Sequence, residues 1–285
     1  MTVATYHWDD WTLDALLGAR RETSVSLVVP ARNEAATVGD VVTRVRERLV
    51  DTVRLLDEIV VIDSDSTDDT SAVAADAGAV VHRAAEIRPD LGTYPGKGEA
   101  MWKSQFVTKG EVLVFMDADL LDWDTHFVPG LLGPLLTAPG VELVKGFYER
   151  PLGDAAYEGG RVTELVARPL ISLLFPDLGG LHQPLAGEWA VRRSLLESLS
   201  VPTGYAVELA ALIDTAATLG VDAIAQVDLG RRAHRHQSLR DLGGMARQIM
   251  AMALVRAGVV PDALAGARYS TSDRPPERPP AREVA

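Results

Sequence analysis

Two aspartates, Asp117 and Asp119, lie one residue apart directly after the apolar run 112–116. That run, Val-Leu-Val-Phe-Met, has the composition of a strand that is covered on both faces. In open α/β sheets, ligands bind beyond the carboxyl ends of the strands. Two carboxylates there suit a hard divalent cation, Mg²⁺ or Mn²⁺, which takes its other ligands from water and phosphate. An isolated Asp-x-Asp can equally end a strand and cap a helix, so the pair needs support from elsewhere in the chain.

Polar residues also follow two earlier predicted strands. The segment 30–34, Pro-Ala-Arg-Asn-Glu, ends the first strand, and the segment 63–65, Asp-Ser-Asp, ends the second. In a doubly wound sheet these segments share one rim with Asp117 and Asp119. Crowded carboxylates repel each other unless a cation or a donor-rich ligand lies between them. A nucleotide offers donors in its base N–H and ribose hydroxyls, so the set predicts a nucleotide-sugar site.

The loop 94–99, Tyr-Pro-Gly-Lys-Gly-Glu, brings one lysine close to this rim. It does not contain the GxxxxGK[ST] pattern of a P-loop, so the sequence does not support an NTPase function. Glycines on both sides allow the Lys97 ammonium to approach a phosphate or a base carbonyl. The alternative is an ordinary exposed loop lysine.

A second anion site is predicted at the helix that begins near residue 160. The glycine pair 159–160 exposes backbone N–H groups at a helix start, and Arg161 offers a bidentate fork to phosphate or carboxylate. The formal net charge of the chain is −12, so an anionic acceptor needs local compensation of this kind. Lys145 or Arg235 would add to it. The alternative is a helix start with an exposed arginine.

The alternation of elements predicts an α/β fold in which a mostly parallel, Rossmann-like sheet is flanked by helices. A helix is also predicted over 6–21 from the spacing of its apolar residues. The strands that form the predicted sheet are 24–30, 57–63, 79–82, 112–116, 141–148, 188–191 and 223–229.

Composition limits the classes of function. The 285 residues contain no cysteine, which excludes disulfides, thiolate catalysis and Cys-ligated zinc. The acidic net charge argues against general nucleic-acid binding. No signal peptide is visible, and the apolar stretch 243–260 is broken by two arginines, so we expect no membrane span and cytoplasmic residence.

Three regions are predicted from these patterns. Residues 1–150 form the nucleotide-sugar-binding half, and residues 151–266 form the acceptor-binding, largely helical C-terminal part of the same catalytic domain. Residues 267–285 are rich in Pro and Arg with few apolar residues, and are predicted to be a disordered tail.

Taken together, the segments 28–34, 63–70, 96–98 and 117–119 resemble those of GT-A glycosyltransferases. The downstream segments 159–169, 187–189, 205–208 and 232–237 resemble those of the retaining family-81 enzymes, the glucosyl-3-phosphoglycerate synthases. The resemblance covers about residues 10 to 260. Inverting family-2 enzymes share the first half, but their Gln-x-x-Arg-Trp motif is not present here.

The resemblance implies a GT-A fold, a homodimer, Mg²⁺ or Mn²⁺ as cofactor, and glucose transfer from UDP-glucose to the 2-hydroxyl of 3-phosphoglycerate. Asp119 and His234 would hold the metal, and Asp117 and Glu208 would lie near the reacting sugar. The residues implied for the nucleotide sugar are Pro30, Ala31, Arg32, Glu34, Ser64, Lys97, Asp117 and Ala118. The residues implied for the acceptor are Gly160, Arg161, Thr163, Arg235 and His236.

Three alternatives stay open. GDP-mannose could replace UDP-glucose as the donor, because no residue firmly excludes guanine. A nucleotidyltransferase also uses paired aspartates, although it would normally carry a Gly-rich Arg/Lys loop after its first strand. A catalytically silent nucleotide-sugar-binding module would bind the donor without releasing UDP.

Overall fold

The computed structural model describes residues 3–149, 160–232, 239–259 and 277–284. Eight strands form one sheet in the order β1-β9-β6-β7-β5-β2-β3-β4, and a separate two-stranded sheet pairs β10 with β8. The strands are β1 Ala4–His7, β2 Val25–Ala31, β3 Glu58–Asp63, β4 Val80–Arg83, β5 Val112–Phe115, β6 Leu143–Glu149, β7 Trp189–Arg192, β8 Val201–Pro202, β9 Ile224–Arg231 and β10 Glu277–Arg278.

Helices connect these strands. They are α1 Leu13–Arg20, α2 Val38–Val45, α3 Thr70–Asp76, α4 Lys97–Ser104, α5 Phe127–Thr137, α6 Arg168–Leu174, α7 Arg193–Leu196, α8 Val207–Leu219 and α9 Leu239–Arg256. Two π-helical segments adjoin these helices. Arg46–Thr52 follows α2, and Thr163–Ala167 precedes α6. The π-helical turn Thr163–Ala167 lies directly before Pro169, which is in the first turn of α6 and has no N–H to donate.

The prediction of a mostly parallel α/β sheet is confirmed. Seven of the eight strands run parallel, and β7 alone runs antiparallel, between β5 and β6. The carboxyl ends of β2, β3, β5 and β9 therefore meet at one rim. Because β7 runs the other way, its amino end lies at that rim.

Each face of the sheet has its own apolar core, which explains the uninterrupted apolar strands. Along β5, Val112 and Val114 pack into the core that contains α2 and α5. Their neighbours Leu113 and Phe115 pack into the opposite core, beside α4 and α8. Successive side chains of a strand point to opposite faces, so a sheet covered by helices on both sides needs apolar residues at every position.

Two predictions at the chain ends are wrong in the described residues. The helix expected over 6–21 begins only at Leu13, because residues 4–7 pair in parallel with β9 as an edge strand. The disordered tail expected over 267–285 is ordered over 277–284, where β10 pairs with β8 and Arg278 is buried. Polar composition misled the prediction, because the buried arginine has a carboxylate partner inside the protein. Residues 267–276 lie outside the described residues.

Within the described ranges, no helix is long and apolar enough to cross a membrane.

Candidate active site

A cleft of about 320 Å³ opens at the rim where the parallel strands end. Apart from the suggested helper Lys145, it brings together every predicted site residue that the structure describes. These residues are Pro30, Ala31, Arg32, Glu34, Ser64, Lys97, Asp117, Ala118, Asp119, Gly160, Arg161, Thr163 and Glu208. The predicted metal ligand His234 and the predicted acceptor residues Arg235 and His236 lie outside the described residues.

Lys97 joins two carboxylates at the centre of the cleft. Its Nζ lies 2.5 Å from Asp117 Oδ1 and 2.8 Å from Glu208 Oε1. Burial alone would lower the Lys97 pKa, but the two carboxylates outweigh it and raise that pKa well above its ordinary value. The lysine therefore stays charged at neutral pH and pairs with both carboxylates.

Arg232 is a functional candidate that the sequence reasoning missed. It follows β9 directly, its side chain is 1% exposed, and its Nη2 donates to Asp117 Oδ2 and Asp119 Oδ1, both at 3.0 Å. Burial opposes its charge, but the nearby carboxylates and Tyr148 raise its pKa. The available signal was a basic residue at a strand end that shares the rim with Asp117 and Asp119.

Below the cleft, a buried network supports Arg232. Its Nη1 donates to the Tyr148 hydroxyl at 2.6 Å and to Glu188 at 2.9 Å, and Tyr148 donates to Glu188 at 2.8 Å. Glu188 is fully buried and immediately precedes β7. Sequence reasoning assigned Glu188 no role, because a carboxylate before a short strand reveals neither its burial nor its partner. The guanidinium of Arg232 is thereby aimed at the two aspartates.

The segment before β7 also leaves space for Asp117. A Cβ atom at Gly187 would lie 2.2 Å from both carboxylate oxygens of Asp117. Such a distance is far below ordinary contact, so the aspartate occupies its position only because residue 187 has no side chain.

Glu208 lies in the first turn of α8 and is only 5% exposed. Its carboxylate lies at the amino end of the helix and beside the Lys97 ammonium, with 2.8 Å between Oε1 and Nζ. A carboxylate that is bound to an ammonium is held in one orientation and is a weaker nucleophile. This bears on whether Glu208 attacks the sugar or orients it.

Gly160, Arg161 and Thr163 also line the cleft, at the beginning of the helical segment that leads into α6. An apolar wall faces the cleft from α9, and it contains Leu242, Met245 and Ile249.

Lys145, the suggested helper for the acceptor anion, does not line the cleft. It is 1% exposed and donates to the Ala186 carbonyl, with its ammonium 5.8 Å from the Trp189 ring centre. Burial lowers its pKa to about 8. Its position on β6 turns the side chain into the core below the rim, so the suggestion is wrong for the described structure.

The carboxylates of Asp117 and Asp119 fit a divalent cation. Both already attract one cation, the Arg232 guanidinium, at the same point of the cleft. Among the described residues, no group of three His, Cys, Asp or Glu side chains could hold a metal ion alone. A cation here would need further ligands, such as diphosphate oxygens, water or His234.

Comparison with known proteins relates this cleft to a family. Residues 26–199 match the model of glycosyl transferase family 2. The chain is 49% identical over 269 residues to glucosyl-3-phosphoglycerate synthase of Mycobacterium tuberculosis, covering 92% of this chain and 82% of the relative. It is 44% identical over 244 residues to the synthase of Petrotoga mobilis, covering 84% and 75% of the two chains.

The chain belongs to the glucosyl-3-phosphoglycerate synthase family. A crystal structure of the M. tuberculosis synthase with Mn²⁺, uridine-diphosphate-glucose and phosphoglyceric acid matches with a TM-score of 0.89. The sequence identity is 44%, and 99% of each chain is covered. The same enzyme with Mn²⁺, uridine diphosphate and glucosyl-3-phosphoglycerate matches with a TM-score of 0.88. The predicted GT-A fold and the predicted family are thus confirmed.

Proposed function

We propose that this protein transfers glucose from UDP-glucose to the 2-hydroxyl of 3-phosphoglycerate, with release of UDP. The observation that carries the proposal is the likeness, over 99% of both chains, to a synthase crystallised with Mn²⁺, UDP-glucose and phosphoglyceric acid. The same comparison favours glucose transfer over mannose transfer from GDP-mannose and over a nucleotidyltransferase.

The donor occupies the part of the cleft formed by the ends of β2, β3 and β5. Uridine and ribose lie against residues that line the cleft, namely Pro30, Ala31, Arg32, Glu34, Ser64 and Ala118. Asp117 and Lys97 face the diphosphate and sugar end of the donor. Because Lys97 stays charged, it compensates the negative charge that UDP gains as it departs.

Asp119 and His234 would hold the divalent cation. When bound, the cation supplies Lewis-acid stabilisation of the diphosphate leaving group. Arg232 holds Asp117 and Asp119 in a fixed geometry from below, so the site is organised before the donor arrives.

Glu208 orients the sugar and does not attack it. Retention of configuration requires either a covalent glycosyl carboxylate or attack from the side of the leaving group. The pairing of Glu208 with Lys97 at 2.8 Å supports the second route, in which a leaving phosphate oxygen takes the proton of the acceptor hydroxyl. Asp117 pairs with Lys97 and Arg232, so its carboxylate is likewise held in place and does not attack the sugar.

The acceptor anion is held on the other side of the cleft. Arg161 supplies charge, and Gly160 and Thr163 supply backbone and hydroxyl groups beside it. Arg235 and His236 would complete this site. An anionic acceptor that approaches a chain of net charge −12 needs such a local basic group.

A nucleotide-release assay tests the proposal. UDP-glucose and GDP-mannose are each combined with 3-phosphoglycerate and with glycerate, with and without chelator. We expect UDP release only from UDP-glucose with 3-phosphoglycerate and only with Mg²⁺ or Mn²⁺, with the glucosylated product seen by mass spectrometry. Donor binding in calorimetry without UDP release would instead indicate a silent binding module.

A homodimer is part of the proposal. Leu165, Pro169 and Leu173 lie four residues apart on one helical face, and the two leucines are 74% and 79% exposed. An exposed apolar stripe of this kind is typical of an interaction surface. Leu165→Glu with Leu173→Glu should give monomers in light scattering after size exclusion, whereas Leu219→Glu, on another helix, should not. Cytoplasmic residence and the lack of nucleic-acid binding stay predictions.

A further inference from the structure

The short strand β10 lies outside the cleft, yet its two residues contact the elements that form the cleft. Glu277 and Arg278 pair antiparallel with β8. Because successive side chains of a strand point to opposite sides, these neighbours reach different helices.

Glu277 anchors β10 to α8 and α9. Its Oε1 accepts from Arg256 Nη1 at 2.6 Å. Arg256, at the end of α9, also donates to both carboxylate oxygens of Asp214 in α8, at 2.7 and 2.8 Å. Burial lowers the Arg256 pKa, but the two carboxylates outweigh it and raise that pKa above its ordinary value. The strand is therefore fixed to the helix that carries Glu208.

Arg278 reaches the opposite way and is 6% exposed. Its guanidinium donates to both oxygens of Glu99 at 2.7 and 2.5 Å, and Glu99 is fully buried. It also lies 4.5 Å from the Tyr94 ring centre and 4.7 Å from the Trp102 ring centre, between these two aromatic residues. Few positions in a protein satisfy a guanidinium so completely.

The same guanidinium also fixes the beginning of the Lys97 loop, which we define as residues 91–99. Its Nη1 donates to the Leu91 carbonyl at 2.8 Å and its Nη2 to the Gly92 carbonyl at 3.1 Å. Arg278 therefore ties the first residues of the loop to Glu99, its last residue.

In the Lys97 loop, the Gly92 carbonyl accepts from Lys103 Nζ at 2.8 Å, the Tyr94 N–H donates to Glu99 Oε1 at 3.3 Å, and α4 begins at Lys97. Gly92 and Gly96 have φ angles of +66° and +130°, a region in which glycine is the favoured residue. Near its end, the Glu99 N–H donates to the Thr203 carbonyl at 2.9 Å and the Gly98 N–H to the Gly204 carbonyl at 3.2 Å. Thr203 directly follows β8, the strand that pairs with β10. Arg278 of β10 and the residues that follow its partner strand β8 thus both contact the turn that carries Lys97.

We propose that Arg278 is a positioning residue for Lys97. It contacts no substrate. It holds Glu99, two residues after Lys97, so that the Lys97 ammonium lies between Asp117 and Glu208 before the donor binds. The kinetic effects expected from this role of Arg278 rest on the proposed function.

The chemistry of the contact makes a sharp test available. Arg278→Lys keeps the charge, but an ammonium cannot donate two parallel hydrogen bonds to Glu99 while stacking between two rings. Arg278→Met alone would leave a buried carboxylate unpaired and could unfold the protein. The double variant Glu99→Met with Arg278→Met removes both charges and keeps apolar side chains in the space. Arg282→Lys, an exposed residue of the same segment, is the matched control.

Three quantities are measured for each variant: the steady-state constants, the melting temperature, and amide hydrogen exchange at Gly98 and Glu99. In Arg278→Lys we expect kcat/KM for UDP-glucose to fall about tenfold, with KM for 3-phosphoglycerate unchanged and faster exchange at both amides. The double variant should recover the melting temperature but not the kinetics. Arg282→Lys should behave as wild type.

Wild-type kinetics and exchange in Arg278→Lys would overturn the inference. Recovery of kcat/KM in the double variant would also overturn it, because stability alone would then explain the loss. If the wild-type protein released no UDP with any acceptor, the proposed function would fail, and amide exchange would decide the inference about Arg278 by itself.

Discussion

Replacing Gly187 by alanine moves one carboxylate of the cleft by a distance that can be read from the structure. The new Cβ would lie 2.2 Å from both oxygens of Asp117, whereas ordinary contact begins at 3.4 Å. The carboxylate must therefore retreat by about 1 Å. That shift breaks its 2.5 Å contact with Lys97 and its 3.0 Å contact with Arg232.

A misplacement of about 1 Å in an active site can cost about 10²-fold in rate. We expect kcat/KM for UDP-glucose in Gly187→Ala to fall by that factor, which corresponds to about 2.7 kcal/mol of transition-state stabilisation. Overpacking should also cost about 1–3 kcal/mol of stability, which lowers Tm by several degrees in a chain of this size. Coupled UDP release and a thermal melt measure the two effects.

Gly180→Ala is the matched control, since it lies in the same loop and its Cβ would approach nothing closer than 3.7 Å. It should keep wild-type activity. Full activity in Gly187→Ala would refute the reasoning, because Asp117 would then be free to shift without consequence. An equal loss in both variants would assign the effect to the loop in general.

Three further predictions concern the neighbouring charges. Glu208→Gln should lower kcat about 10²-fold without trapping a glucosylated enzyme, and a glucosylated Glu208 peptide in the wild type would overturn front-side attack. Asp119→Asn should weaken Mn²⁺ binding, followed by electron paramagnetic resonance, by about tenfold or more; unchanged affinity would remove Asp119 from the metal site. Lys145, with its pKa lowered to about 8, binds its proton less tightly in the folded state than in the unfolded chain. Lys145→Met should therefore gain about 3 kcal/mol at pH 7, and this gain should vanish as the pH rises from 8 to 10.5. Urea unfolding at both ends of that range measures it, and a gain that does not depend on pH would contradict the assignment.

The rim of the sheet could be predicted from the sequence because its signals are local. Pro30 lies near the end of β2, Asp117 closely follows β5, and Lys97 begins a helix after a glycine-containing loop. Parallel strands bring such residues to one edge. Chain order alone was sufficient to place them in one cleft.

The supports of the cleft could not be predicted in the same way. Arg232 and Glu188 are 44 residues apart in the sequence, and Arg278 and Glu99 are 179 residues apart. Buried charges of this kind look like surface charges in a sequence, because their burial depends on partners that only the tertiary structure brings together. The disordered tail was predicted over residue 278 for this reason.

Two strands from the second half of the chain, β7 and β9, lie on either side of β6 and make the two halves inseparable. Since β7 lies between β5 and β6, residues 1–150 taken alone would contain two strands that no longer have a common neighbour. Both would expose apolar edges, which favour aggregation. A split of the gene between the predicted halves should thus yield an insoluble first fragment, rescued only when the second fragment is co-expressed and inserts both β7 and β9. The predicted donor half and acceptor half should therefore fold only together, because β7 and β9 from the second half complete the sheet of the first half.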